Sequence, residues 1–117
     1  MFISEEEKTD KRQFRRARFN EAVHFQARDA GRSGGCLSCD ISETGMKINI
    51  DDFVPVHSEM ILQTKLANID TVVDLKGKVA WLQQIPYSDR YYVGVEFTNV
   101  DPVQREGIRS YLRSHRF

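Results

Sequence analysis

The sequence predicts an all-β (mainly β) domain: a six-stranded antiparallel β-barrel with one C-terminal α-helix. Three observations carry that expectation. Apolar and polar residues alternate in short runs, at 19–28, 36–41, 46–50, 60–66, 72–85 and 91–98, the period of half-buried strands. Clusters rich in Gly, Pro, Asp and Ser separate the runs. The last segment switches from a period of two to a helical one. Many short strands joined by turns indicate a barrel or sandwich, and closure into a barrel removes exposed sheet edges.

The elements follow in order. Residues 1–10 (MFISEEEKTD) are polar and aperiodic, and are assigned to a flexible N-terminal tail. In the first strand Val23, Phe25 and Ala27 oppose His24, Gln26 and Arg28. Residues 29–35 (DAGRSGG) read as a turn-rich loop. Cys36–Ile41 is a second short strand and Met46–Ile50 a third, so Asp40–Gly45 is a tight connection in which Gly45 permits a positive φ. Pro55 breaks the pattern before Met60–Leu66. The longest run, Val72–Ile85, places Val73, Leu75, Val79 and Trp81 in phase, which reads Trp81 as core, with stacking of Trp81 or a neighbour on a base as the competing reading. Gly77 within it marks a bulge or a close backbone approach. In the sixth strand Tyr91, Val93, Val95 and Phe97 face in. Asp101-Pro102-Val103-Gln104 then combines a helix cap, a first-turn proline and a capping-box glutamine. Val103, Ile108, Tyr111 and Leu112 form the apolar stripe. Residues 11–117 are expected to be one domain.

Composition narrows the function classes. A chain of 117 residues, 40% hydrophobic and 29% charged, suits one soluble domain with its own core. No apolar run has the length of a membrane span, and the N-terminus lacks the pattern of a signal peptide, so a cytoplasmic location is expected, without membrane contact. The 17 basic and 17 acidic side chains leave no net charge, which disfavours a nucleic-acid polymer as ligand. Ser42 has no histidine near it in sequence, and His24, His57 and His115 are scattered. No catalytic set can be assembled, so an enzyme is not expected. Cys36-x-x-Cys39 has no second pair to complete a structural zinc site. It falls in a strand pattern that puts the two on opposite faces, so ordinary thiols are expected, without metal or other cofactor.

The basic stretch 11–18 (KRQFRRAR) stands out, with five cations in eight residues. Mutual repulsion makes an anion its natural ligand, and guanidinium forks match phosphate. A solvated arm, or one paired with Glu5, Glu6, Glu7 and Asp10, is the structural alternative. Its natural counterpart is Asp40–Gly45, which offers a carboxylate, a hydroxyl and a glycine. Cations for phosphate plus a carboxylate for a base edge suit a nucleotide, because a carboxylate accepts from the N1–H and N2–H2 of guanine. On the residues alone, Asp40 can equally pair with Arg16 and cap its own turn.

Arg12-x-x-x-Arg16 followed by Asp40-x-Ser42-x-x-Gly45 resembles the two-part signature of PilZ domains, bacterial receptors for cyclic di-GMP. The resemblance extends over the strands around Val79 and Trp81, the strand Gly94–Phe97 and the terminal helix. It implies a six-stranded barrel with a helix, matching the reading above. It further implies that Arg12 and Arg16 bind phosphate and stack on guanine, while Asp40 and Ser42 meet a guanine edge and the ligand backbone. Gly45 would then allow close approach, with Lys11, Arg15, Arg18 and Trp81 as helpers. The ligand would be one cyclic di-GMP or an intercalated pair. On this basis residues 1–18 stay mobile until the ligand draws the arm over Asp40–Gly45, signalling to an unidentified protein effector in motility, secretion or polysaccharide synthesis. Two other classes compete: an interaction domain of the same fold that does not use the nucleotide, and a small-barrel module for RNA or single-stranded DNA.

Overall fold

The computed structural model describes residues 16–37, 39–66 and 68–115. Eight strands occupy them: β1 (Ala17–Phe19), β2 (His24–Ala27), β3 (Arg32–Gly35), β4 (Cys39–Ile41), β5 (Gly45–Ile50), β6 (Glu59–Lys65), β7 (Val72–Gln84) and β8 (Tyr91–Phe97). One helix, α1 (Pro102–Ser114), follows. All pairings are antiparallel, in a single sheet of order β1-β4-β5-β8-β7-β6-β2-β3. The all-β class with a C-terminal helix is as the alternation predicts, but the strands number eight rather than six.

The two additional strands have local causes. β1 lies mainly in the basic stretch, before the first predicted run, and residues 20–23 leave the sheet between it and β2. The expected loop at 29–35 folds back as β3. A 3-10 turn at Arg28–Ala30 and Gly31 in the left-handed region (φ 67°) reverse the chain, so that Arg32–Gly35 pairs with β2. Glycine is the residue that adopts this φ without penalty. The sheet curls into a half-barrel with β1 and β3 at its ends. Cys36 N–H donates to Val23 O (3.0 Å), continuing the β2–β3 pairing, and Leu37 N–H donates to Asn49 O (2.8 Å) on β5.

The concave side holds one core. Phe25, Ile41, Ile48, Ile50, Leu62, Leu75 and Val93 are fully buried there, and side chains of this size each contribute roughly 1.5–3 kcal/mol by leaving water. Helix α1 adds Ile108, Tyr111 and Leu112 to that core. Its start is the expected capping box, with Gln104 N–H donating to the Asp101 carboxylate (2.7 Å) and Asp101 N–H to the Gln104 side chain (3.3 Å). Val103, assigned from sequence to the apolar stripe, is instead exposed. It stands in the first turn, one residue past Pro102, outside the run Gly107–Leu112 that faces the sheet.

Two clasps join α1 to the N-terminal part of the sheet. The Tyr111 hydroxyl donates to Arg18 O (2.6 Å) and accepts from Asn20 N–H (3.0 Å), while its ring meets Phe19 edge-on. Arg109 forms an ion pair with Glu43 in the β4–β5 turn (3.2 Å). These contacts correct the expectation that residues up to 18 stay mobile. Ala17 and Arg18 belong to β1, paired to Ile41 and Asp40 of β4 and held from the helix side by Tyr111. The expected tail at 1–10 and the residues up to 15 lie outside the described residues.

Candidate functional site

The site is built on the convex face of the sheet. In β1, β4 and β5 the flanking residues (Ala17 and Phe19, Cys39 and Ile41, Met46 and Ile48) are buried, which turns Arg18, Asp40 and Lys47 outward. Register then aligns them. Arg18 pairs with Asp40, Asp40 with Lys47, Lys47 with Gly94, and Gly94 with Trp81. A single row therefore crosses five adjacent strands, cation, carboxylate, cation, glycine, indole, at about 4.8 Å per step.

Trp81 reaches this face through a bulge. Val79 pairs with Val95, and Trp81 pairs with Gly94, so one extra residue enters β7 between them. The alternation expected from sequence would point Trp81 into the core. The inserted residue reverses its side, and Leu82 takes the next inward position opposite Val93. Trp81 is thus half-buried on the outer face and does not join the core. Gly94 is its seat: a Cβ there would fall 2.0 Å from the indole Nε1. The close approach expected at Gly77 is present, since a Cβ there would meet Glu96 O at 2.6 Å, but the bulge itself lies two residues further on.

Beside the row is an open cleft of about 420 Å³, walled by Arg16, Ser42, Thr44, Gly45, Lys47, Trp81 and Glu96 among others. Asp40 flanks it from β4. Of the residues singled out from sequence, the fold therefore places Arg16, Ser42, Gly45 and Trp81 in one wall, with Asp40 and Arg18 on the adjoining row. Lys11, Arg12 and Arg15 lie outside the described residues.

The β4–β5 turn is held by Ser42 rather than Asp40. Ser42 N–H donates to Gly45 O (2.9 Å), Thr44 N–H donates to Ser42 Oγ (3.2 Å), and the hydroxyl donates to Gly45 O (3.4 Å). The burial of Cys39 and Ile41 on either side turns the Asp40 side chain to the outer face, beside the cleft. Gly45 also departs from expectation. Its φ is not positive, Gly31 being the glycine of the described residues with that conformation. A Cβ at Gly45 would instead lie 2.3 Å from the carbonyl oxygen of Val95, so glycine is required there by the approach of β8.

Lys47, Thr44 and Glu96 are the cleft residues that periodicity did not single out. Lys47 sits in the same alternation as Asn49, and its ammonium lies 4.5 Å from the Tyr92 ring centroid. Only strand register, which the sequence pattern does not encode, sets it opposite Asp40.

The cysteines are free thiols. They were expected on opposite faces, yet interaction with Cys39, together with burial, pushes the Cys36 pKa well up. The alternation fails because Cys36 precedes β4, in the segment bridging Val23 and Asn49. Among the described residues no cluster of three or more His, Cys, Asp or Glu could hold a metal ion. No described helix is long and apolar enough to cross a membrane.

Comparison with known proteins places the chain. No match is found among curated proteins. Solved structures share the fold. The Bacillus subtilis inhibitor of motility MotI/DgrA aligns with a TM-score of 0.71 at 17% identity, over 89% of this chain and 50% of that one. Escherichia coli YcgR in complex with c-di-GMP aligns at 0.65 and 11% identity, over 89% of this chain and 45% of that one. The isolated PilZ domain of YcgR with c-di-GMP aligns at 0.66 and 11%, over 90% and 91%. The chain thus spans about half the length of the intact MotI and YcgR chains. The family model for the PilZ domain matches residues 10–114.

Proposed function

Because the chain belongs to the PilZ domain family, we propose that it is a receptor for cyclic di-GMP that acts through a protein partner. The observation that carries this is the cleft itself. It combines Arg16, the β4–β5 turn and a half-buried indole in one wall, with the Asp40 carboxylate on the flanking row. A cation, a carboxylate and a flat aromatic face are what a guanine dinucleotide requires: charge for phosphate, acceptors for N1–H and N2–H2, and a stacking surface. The solved YcgR structures with c-di-GMP share this fold.

In this reading Arg12 and Arg16 bind the phosphates and Asp40 takes the guanine edge. Lys11, Arg15 and Arg18 add positive potential. Ser42 acts by holding the turn in shape, its hydroxyl bonded within it. Trp81 supplies the stacking face, and the cleft accepts one dinucleotide or an intercalated pair. Ligand binding draws the stretch carrying Arg12 across the cleft, and the altered surface is what a partner in motility, secretion or polysaccharide synthesis detects. The chain acts by binding, in the cytoplasm, and needs no cofactor.

Isothermal titration of the intact chain tests this. Cyclic di-GMP is expected to bind at micromolar concentration or below. Removing one charged contact forfeits about 1.5–3 kcal/mol, so Arg16→Ala and Asp40→Ala should each weaken binding by roughly 10- to 150-fold. Unchanged affinity in both variants rejects the site, and absence of binding by the parent chain rejects the receptor function.

A further inference from the structure

The row across the convex face sets a cation, Lys47, beside Asp40. Asp40 and Lys47 are direct cross-strand partners on β4 and β5, both outward. Such partners have Cβ atoms about 4.5–5.5 Å apart. Among the described residues the two form no ion pair. The Lys47 ammonium is held over the Tyr92 ring, 4.5 Å from its centroid, and the side chain lines the cleft.

A carboxylate beside an ammonium suits one edge of one base. Guanine presents N2–H2 and N1–H as donors and O6 as an acceptor, side by side. A carboxylate is acceptor-only and suits the two donors, while an ammonium is donor-only and suits O6. Adenine reverses the last position, with an N6–H2 donor where O6 stands, and it has no N2 group. Facing Lys47, that donor meets a donor and a positive charge. Lys47 lies two strands from β1, at about 10 Å, and Asp40 stands between it and the arginine end of the row.

We propose that Lys47 is the O6-reading residue of the site, paired with Asp40, and sets its selectivity for guanine over adenine dinucleotides. The proposal rests on the receptor function above, and its test separates the two.

The intact chain and the variants Lys47→Met and Lys47→Arg are titrated calorimetrically with cyclic di-GMP, cyclic di-IMP and cyclic di-AMP. Cyclic di-IMP keeps O6 and lacks N2. Lys47→Met retains the apolar stem without the donor, and should lose about tenfold in affinity for both O6-bearing ligands. Its affinity for cyclic di-AMP should hold or rise, so the guanine-to-adenine ratio falls by about the same factor. Lys47→Arg, which keeps a donor, should retain most of the ratio. An equal loss for all three ligands shows a general charge role and overturns the proposal, as does no change for any. Failure of the parent chain to bind cyclic di-GMP overturns the receptor function and the proposal together. Parent binding with an unaltered ratio in Lys47→Met overturns the proposal alone.

Discussion

Gly45→Ala decides whether this glycine serves the ligand or the fold. Glycine at this position of a binding turn suggests room for a ligand, but the structure gives it a different neighbour. An added Cβ would lie 2.3 Å from the carbonyl oxygen of Val95, where non-bonded atoms come no closer than about 3 Å. Strand β8 carries that carbonyl, and it is pinned between β5 and β7, so the clash cannot be relieved by turning a side chain. Two strands must part by roughly 0.7 Å, and overpacking of this kind costs about 1–3 kcal/mol. Elsewhere in a strand the same substitution would be favourable by about 0.5–1 kcal/mol, so a net loss identifies the clash. For a domain of this size about 1 kcal/mol corresponds to about 4 °C in Tm, which gives an expected fall of roughly 4–12 °C. Differential scanning calorimetry without ligand measures it. A Tm within 2 °C of the parent, together with lost cyclic di-GMP binding, would refute the argument and return Gly45 to the ligand.

Two other outcomes follow from the packing. Tyr111→Phe removes the hydroxyl that joins Arg18 O and Asn20 N–H. It should cost about 1–3 kcal/mol through the groups left unpaired. Urea unfolding reads this as a lower midpoint with unchanged slope, and a midpoint equal to the parent's would contradict the clasp. The raised pKa of Cys36 keeps its thiol neutral, and the thiolate is the reactive form. At pH 8 the native chain should therefore react with a thiol-specific disulfide reagent at least tenfold more slowly than the urea-unfolded chain; equal rates would sink the assignment. The sign of the linkage is fixed as well. The shift stabilises the fold fully below the unfolded thiol pKa of about 8.5 and progressively less as pH rises above it.

The legible parts of the fold were those where one face is buried and the other wet. The limits of strands β5, β6 and β8 fall within a residue or two of the sequence reading. The start of α1 was equally plain, because Asp101, Pro102 and Gln104 act locally. What stayed hidden depends on partners distant in sequence. Arg32–Gly35 has the composition of a loop and is a strand only because β2 supplies its hydrogen bonds. The side taken by Trp81 was misassigned because a bulge shifts phase by one residue and Ala80 gives no sign of it. Within the site, the motif residues were visible as chemistry and spacing. Lys47 was not, since its relation to Asp40 exists only through register.

The seat that Gly94 provides for Trp81 has an optical consequence. The chain has one tryptophan, and it lies flat on β8 at the mouth of the cleft. All indole emission therefore originates at the cleft, undiluted by any second fluorophore of its kind. On the proposed reading, a purine stacking on that ring would alter both the intensity and the wavelength of the emission. The domain would then carry its own label-free gauge of occupancy, one that needs no dye and reports from a position the bulge in β7 created.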